Sequence, residues 1–444
     1  MEYPRVLVLD HSAFHEKKNN GKTKSALFEG YPKEKLAQFY ISNELPSYAV
    51  CNNFFRITEY DILNANIKFK KASGFILNDQ CDEANESASL KLVNPNEIKG
   101  LHRFIYKGME NRMPILELAR EIAWRKSKWQ TSEFIQWLDD FNPQIIFTLG
   151  SYCPFFHKII HWVQQRYNTQ IFLFTTDDYT FVRSTLSPIA WLNHFRYMHW
   201  LRKTLAKSKK LYTISPAMKK EYADRFKLSN VGLLANSVEV YEETSEPVQV
   251  PDKSLRLVYA GGMHFNRWKV LSWLGECLDN LKKEGFNGVL DIYCPIPPSN
   301  EIIEELTKSA CVSYKGSLNP DELYVEISKS NVLVHVEAFD RDSAKATRLS
   351  LSTKIPEYMI SNRCILAIGP DSVASMQYLK ENNIALCVNS MEKADMQMIK
   401  QHLFDMNFRE KMANNARKVA IQNHSLIKIQ QEFYNDLISS QMEE

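Results

Sequence analysis

Residues 352–370 read STKIPEYMISNRCILAIGP: a polar, hydroxyl-bearing loop enters a helix, and a second apolar run ends at Gly369-Pro370. The run CILAIG has no polar alternation, as expected of a strand buried on both faces of a parallel sheet. Pro356 is tolerated in the first helical turn, where its missing N–H costs nothing. The free backbone N–H groups of that turn, Ser352, Thr353 and Lys354 together suit an anion such as a phosphate. Glu357, just inside the helix, is placed to accept hydrogen bonds from a ribose diol beside such a diphosphate. The competing reading is a capped helix with a solvated Lys and Glu.

The same rhythm extends outward. Before this stretch come LRLVYA (255–260), GVLDIYC (288–294), CVSYKG (311–316) and NVLVHV (331–336), and after it IALCV (384–388). In the first half the expected strands are RVLVLD (5–10), SYAVCN (47–52), QIIFTL (144–149), IFLFTT (171–176), KLYTIS (210–215) and VGLLAN (231–236). Between the halves lies SVEVYEETSEPVQVPDKS (237–254), acidic and carrying two prolines, which reads as a linker. Residues 78–112 read as an insertion, and 407–441 as a helical tail interrupted around His424. The expected fold class is α/β, with two Rossmann-like doubly wound domains facing across a cleft, residues 1–238 and 239–424. In such sheets ligands bind beyond the carboxyl ends of the strands.

Several loops would face that cleft. LRLVYA runs into Gly261 and Gly262, which allow a sharp turn or close approach to a ligand, with Arg267 or Lys269 within reach of a diphosphate. A plain tight turn explains the glycines equally. Tyr314 ends a strand whose following loop suits a flat base, or is a simple turn capped by Asn319 or Asp321. Glu337 emerges from the end of NVLVHV, for a sugar hydroxyl or for structure. In the first half, TTDDYTF places Asp177 and Asp178 at a strand end. There a carboxylate can orient or deprotonate an acceptor hydroxyl, or cap a loop. His11 follows the first strand beside a loop at Asn19–Lys22, with a structural and a catalytic reading both open.

The 444 residues exceed one compact core. A formal net charge of +3 gives no reason to expect nucleic acid as a partner. None of the eight cysteines forms a Cys-x-x-Cys pair, so buried free thiols in a reducing, cytoplasmic setting are expected. No run approaches the length of a membrane span. The stretch AWLNHFRYMHWLRKTLAKSKK (190–210) is basic and amphipathic. It suits either a core-packed helix with a solvated basic end or a peripheral contact with the inner face of an anionic membrane. No G-x-G-x-x-G fingerprint marks a nicotinamide or flavin site.

Taken together, YAGGMHFNRWK, VSYKGSLNPDELYVEISKSNVLVHVEAFD and STKIPEYMISNRCILAIGP resemble GT-B-fold glycosyltransferases of the glycosyltransferase group 1 (GT4-like) family. So do LYTISPAMKKEYADRF with VGLLANSVE, and the closing helices. The resemblance covers about residue 140 to the end. It implies a C-terminal domain that binds a nucleotide-diphosphate sugar, UDP- or GDP-linked, and an N-terminal domain that binds a saccharide or lipid-linked acceptor. It further implies that the last helix, 425–444, packs back on the first domain. Arg267 and Lys354 take the diphosphate-binding positions and Glu357 the ribose-binding one. No metal or other cofactor is implied, and the implied mechanism is retaining, in bacterial surface polysaccharide or glycolipid synthesis. One departure stands out, because the family's second glutamate, eight positions before Glu357, is Leu349 here, leaving Glu337 or Asp342 as replacements. A GT-B sugar-nucleotide epimerase and a non-catalytic GT-B partner subunit are the alternatives.

Overall fold

The computed structural model describes residues 2–16, 19–67, 74–77, 113–181, 185–240 and 254–441. The expected insertion at 78–112, most of the linker and Cys81 lie outside these residues. The chain forms two compact units, Met1–Leu234 with Gln430–Glu444, and Ala235–Ile429.

The first unit holds β1 (Val6–Asp10), β2 (Leu36–Tyr40), β3 (Phe54–Arg56), β4 (Phe75–Leu77), β5 (Ile145–Leu149), β6 (Gln170–Thr175), β7 (Ser208–Thr213) and β8 (Val231–Leu233). They form one sheet in the order β4-β3-β2-β1-β5-β6-β7-β8. All pairings are parallel except β3 with β4. Every residue of β1 is buried, as an unbroken Val-Leu-Val-Leu run requires when helices cover both faces. Leu7 and Leu9 pack on an aromatic cluster that includes Phe134, Trp137, Phe155 and Phe156. Each such ring contributes roughly 1.5–3 kcal/mol by leaving water. From Gln430 onward the last helix, Leu426–Ser439, belongs to this unit. Phe433 is fully buried against Phe28, Phe147 and Tyr212, and Asp436 accepts from Lys210 Nζ and Tyr212 Oη at 2.6 Å each.

Two expectations fail here. SYAVCN (47–52) is turn and coil, and the strand is instead β2, LAQFY. Gln38 obscures β2 in the sequence, yet its amide is fully buried because it accepts from Phe14 N (2.8 Å) and donates to Ser12 O (3.0 Å). Asn19–Lys22 is not a loop but the start of the helix Asn19–Phe28.

The second unit holds β9 (Ser254–Ala260), β10 (Asn287–Tyr293), β11 (Val312–Gly316), β12 (Val332–Val336), β13 (Cys364–Ile368) and β14 (Leu386–Val388), all parallel, in the order β11-β10-β9-β12-β13-β14. Alternate residues of β9 serve two cores. Leu257 and Tyr259 meet Val270, Leu271 and Leu274 of the helix Arg267–Lys283, whereas Val258 meets Ile355, Tyr358 and Met359. That two-faced burial is what a doubly wound sheet needs. The helical tail breaks at His424, whose buried ring bonds Asn236 O (2.7 Å) and Tyr378 Oη (2.8 Å). Of the described cysteines, six are buried free thiols and Cys387 is half-buried.

Candidate active site

In the second unit the strand order reverses between β9 and β12, so the crevice beyond their carboxyl ends is where a ligand is expected. From β9 the chain enters the Gly261-Gly262 turn. Gly261 N–H donates to Tyr293 O (3.0 Å), and Tyr259 Oη folds back to donate to Gly262 O (2.8 Å). A Cβ on Gly261 would stand 2.8 Å from that phenol oxygen, so the glycine has a local structural use. Phe265 and Asn266 follow in the left-handed region, with φ of 57° and 55°. Non-glycine residues pay roughly 1–2 kcal/mol each for that conformation. The Asn266 amide offsets part of this by donating to Asp340 Oδ2 (3.0 Å).

These turns deliver Arg267 to the end of β12. Its Nη2 donates to both carboxylate oxygens of Glu337 (3.1 Å each) and its Nη1 to His264 Nε2 (3.0 Å). An arginine can only donate, so the neutral His264 ring carries its proton on Nδ1. Glu337 is 2% exposed. Burial raises its pKa most, but His335, 3.5 Å away, and Arg267 outweigh that and hold the carboxyl down at about 2. It is therefore ionised at neutral pH. Arg267 Nε is buried without a hydrogen-bond partner, an unspent donor. Gly369 closes the far side, because a Cβ there would meet Glu337 Cβ at 2.8 Å.

The helix Lys354–Ile360 is tied to the same strand end. Tyr358 Oη accepts from Ala260 N (3.0 Å) and lies 3.3 Å from Ala260 O. One residue earlier, Glu357 accepts from Lys354 Nζ (2.9 Å), the two side chains being 31% and 34% exposed. The expected hydroxyl cap differs in detail. Thr353 caps nothing, and Ser352 Oγ accepts from Lys354 N (3.3 Å). Leu349, at the departure from the family pattern, is buried. Lys269 is exposed beside Trp268. Tyr314 packs against the apolar core on β11. Arg267, Glu337 and the Gly-Gly turn are thus brought together, and Lys354 and Glu357 pair beside the same strand. A cavity of about 220 Å³ in this unit lies away from these residues, at the amino ends of β12 and β13, around Asn331, Arg363 and Arg409.

The first unit reverses its order between β1 and β5. There His11 Nε2 lies 2.7 Å from Ser151 Oγ, and burial lowers the His11 pKa to about 3, with Arg120 adding to the effect. A neutral ring of that pKa is a hydrogen-bonding group and a weak base. Asp10, just before it, accepts from His11 N (2.7 Å), Ser12 Oγ (2.9 Å) and the fully buried Lys24. Asp178 is buried and its Oδ1 accepts from Thr180 N (3.0 Å) and Tyr222 Oη (3.2 Å), the loop-capping geometry. Among the described residues, no three His, Cys, Asp or Glu side chains are grouped to hold a metal ion.

Residue patterns missed His335, His264 and Lys24. His335 had a signal, because residues two apart on a strand point to one face, which puts it beside Glu337.

No family model and no curated protein matches the sequence. Among solved structures, the chain is similar to sucrose-phosphate synthase from Thermosynechococcus elongatus, with 13% identity and a TM-score of 0.61 over 98% of this chain and 100% of that one. A glycosyltransferase from Rickettsia africae matches at 12% identity and TM-score 0.57, over 98% and 99%. The UDP-forming trehalose-phosphate synthase from Burkholderia xenovorans, in complex with glucose-6-phosphate, matches at 10% and 0.58, again over 98% and 99%. The chain has the GT-B fold. In GT-B terms, the pairs Arg267–Glu337 and Lys354–Glu357 both stand in the C-terminal Rossmann-like unit.

Proposed function

We propose that this GT-B protein is a glycosyltransferase that moves a sugar from a nucleotide-diphosphate donor to a saccharide or lipid-linked acceptor. The observation that carries the reading is the pair of cation–carboxylate contacts gathered around the carboxyl end of β9, Arg267 with Glu337 and Lys354 with Glu357. In the transfer, the bond from the anomeric carbon to the diphosphate breaks and the diphosphate leaves with the electron pair. The acceptor hydroxyl oxygen forms the new bond and gives up its proton to an oxygen of the leaving diphosphate. Lys354 and Arg267 meet the charge that develops on the leaving diphosphate, a contribution that grows as charge separates. Glu357 accepts from the ribose hydroxyls, and the loop after Tyr314 lines the base. Gly261 and Gly262 let the backbone approach the donor, with Lys269, Ser352 and Thr353 at the rim. Glu337 keeps Arg267 aimed and accepts from a donor-sugar hydroxyl, in the place left by Leu349. His11 and Asp178 belong to the acceptor unit, His11 as a hydrogen-bonding group near the incoming hydroxyl.

The finer reading is a retaining enzyme of the GT4-like type, making bacterial surface polysaccharide or glycolipid with a UDP- or GDP-linked sugar. Resemblance in sequence supports it, as does the likeness of the fold to a lipopolysaccharide outer core galactosyltransferase (12% identity, TM-score 0.57). Calorimetry with UDP, GDP and ADP tests the proposal. One of them should bind, and Lys354→Ala and Glu357→Ala should each weaken it about tenfold or more, the range of lost charge-assisted hydrogen bonds. No binding at millimolar nucleotide overturns the transferase. Binding that neither substitution weakens overturns the site. Nucleotide release only when acceptor is added separates a transferase from an epimerase.

A further inference from the structure

Two helices of the N-terminal unit, Pro114–Lys126 and Pro188–Lys207, pack side by side and run in the same direction. Asn193 Nδ2 donates to Pro114 O (2.8 Å) and lies 3.3 Å from Glu117 Oε2, and one turn on, Arg196 lies 3.7 Å from Glu121. At 100° per residue, Trp191, Leu192, Phe195, His199, Arg202 and Lys203 share one stripe of the longer helix, and all six are exposed. Its first half is aromatic and aliphatic, and its second half basic. The shorter helix repeats the pattern, with Ile115, Ala119 and Ile122 exposed before Arg125 and Lys126. Leu186, just ahead of the longer helix, is 99% exposed. The two acidic side chains at this junction, Glu117 and Glu121, turn inward to Asn193 and Arg196, so they do not cancel the basic ends.

Both helices bury one apolar stripe, Tyr197, Met198, Leu201 and Leu205 in the longer and Leu116 and Trp124 in the shorter. Yet a second set of large apolar groups faces out on each. The matching polarity of the stripes sets an apolar edge beside a basic edge. We propose that this two-helix face docks on an anionic lipid surface, with Trp191, Leu192, Phe195, Ile115 and Ile122 entering the interfacial layer. Arg202, Lys203 and Lys126 then meet the lipid phosphates. The basic edge is what selects a membrane over an uncharged apolar partner, because each cation near such a surface adds attraction that salt screens. The inference rests on the N-terminal unit alone and does not depend on the donor chemistry proposed above.

The test is co-sedimentation of the full chain with vesicles of phosphatidylcholine alone and of phosphatidylcholine with phosphatidylglycerol. Binding should appear with the anionic vesicles only and weaken as salt rises from about 0.1 M to about 1 M. W191S/F195S and R202E/K203E should each reduce it about tenfold or more, with circular dichroism and nucleotide affinity unchanged, since all four side chains are exposed. Equal binding to both vesicle types overturns the proposal, as does binding that neither double variant alters. Absence of binding from a chain that light scattering shows as a dimer, made monomeric by W191S/F195S, assigns the face to a second copy and likewise overturns it.

Discussion

The two sheets place polar residues at equivalent points, beyond the carboxyl ends of the strands that flank the reversal in strand order, but they use them differently. In the first unit they form a closed, buried network. His157 Nε2 lies 2.9 Å from Ser151 O and so must donate, which leaves Nδ1 to accept from Thr204 Oγ1 (2.9 Å). Thr204 then accepts from His161 Nε2 (3.0 Å), and Ser151 reaches on to His11. Asp10 is fully engaged by Lys24 and its neighbours. In the second unit, Lys354 and Glu357 stand partly in solvent, and Arg267 keeps a donor unspent. A network already satisfied internally specifies a fold, whereas paired charges at a rim can exchange partners with an arriving anion.

Acid should divide the units most strongly. His11, His157 and His161 have folded pKa values of about 3, 4 and 4, each lowered mainly by burial from an ordinary 6.5. A depressed value means that their stabilising contribution is intact above pH 6.5 and is lost as pH falls toward 4, on the order of 3 kcal/mol for each of His11 and His157. Glu337, ordinarily 4.5 and here about 2, keeps its contribution until the pH falls below 4.5. Burial lowers His264 and His424 in the second unit as well, but the first carries four such rings, His194 included. Hydrogen exchange near pH 5, corrected for intrinsic rates, should therefore show the first unit loosening ahead of the second. Simultaneous loosening, or the reverse order, would break the comparison.

Lys24→Met comes next. It strands the Asp10 carboxylate in a buried site, at a cost of about 3–5 kcal/mol. Denaturant-induced loss of protection in the first unit should register it, and adding Asp10→Asn should restore part. A single variant as stable as the parent would mean the network is not closed. Gly369→Ala forces a methyl to within 2.8 Å of Glu337 Cβ and 3.2 Å of its carbonyl oxygen. Overpacking of that kind costs about 1–3 kcal/mol, read as a lower melting temperature of the second unit. The smallest effect belongs to Lys354→Ala without ligand, under about 1 kcal/mol for a partly exposed pair. A loss as large as that of Lys24→Met would recast Lys354 and Glu357 as structural and sharpen the contrast in the opposite sense.

Most of the second unit was legible because its strands are unbroken apolar runs ended by glycine or polar loops. β2 was not, because Gln38 looks like a surface residue until its amide partners at Ser12 and Phe14 are seen. SYAVCN misled for the converse reason, since Val50 and Cys51 are buried without lying in a strand. At the site, Lys354 and Glu357 could be read together because three residues on a helix bring side chains to one face. The engagement of Asp178 by Thr180 and Tyr222 could not, since Tyr222 lies 44 residues away.

By itself, then, the sequence determined the α/β rhythm, the break at His424 and the turns that carry Gly261, Lys354 and Glu357, all of which follow from spacing within a few residues. Only the tertiary structure decided which cation meets which carboxylate. Arg267 and Glu337 are 70 residues apart in the chain and meet because parallel pairing of β9 with β12 aligns their carboxyl ends. Lys24 shows the same dependence, because a lysine reads as a solvated charge until folding surrounds it and leaves Asp10 to balance it.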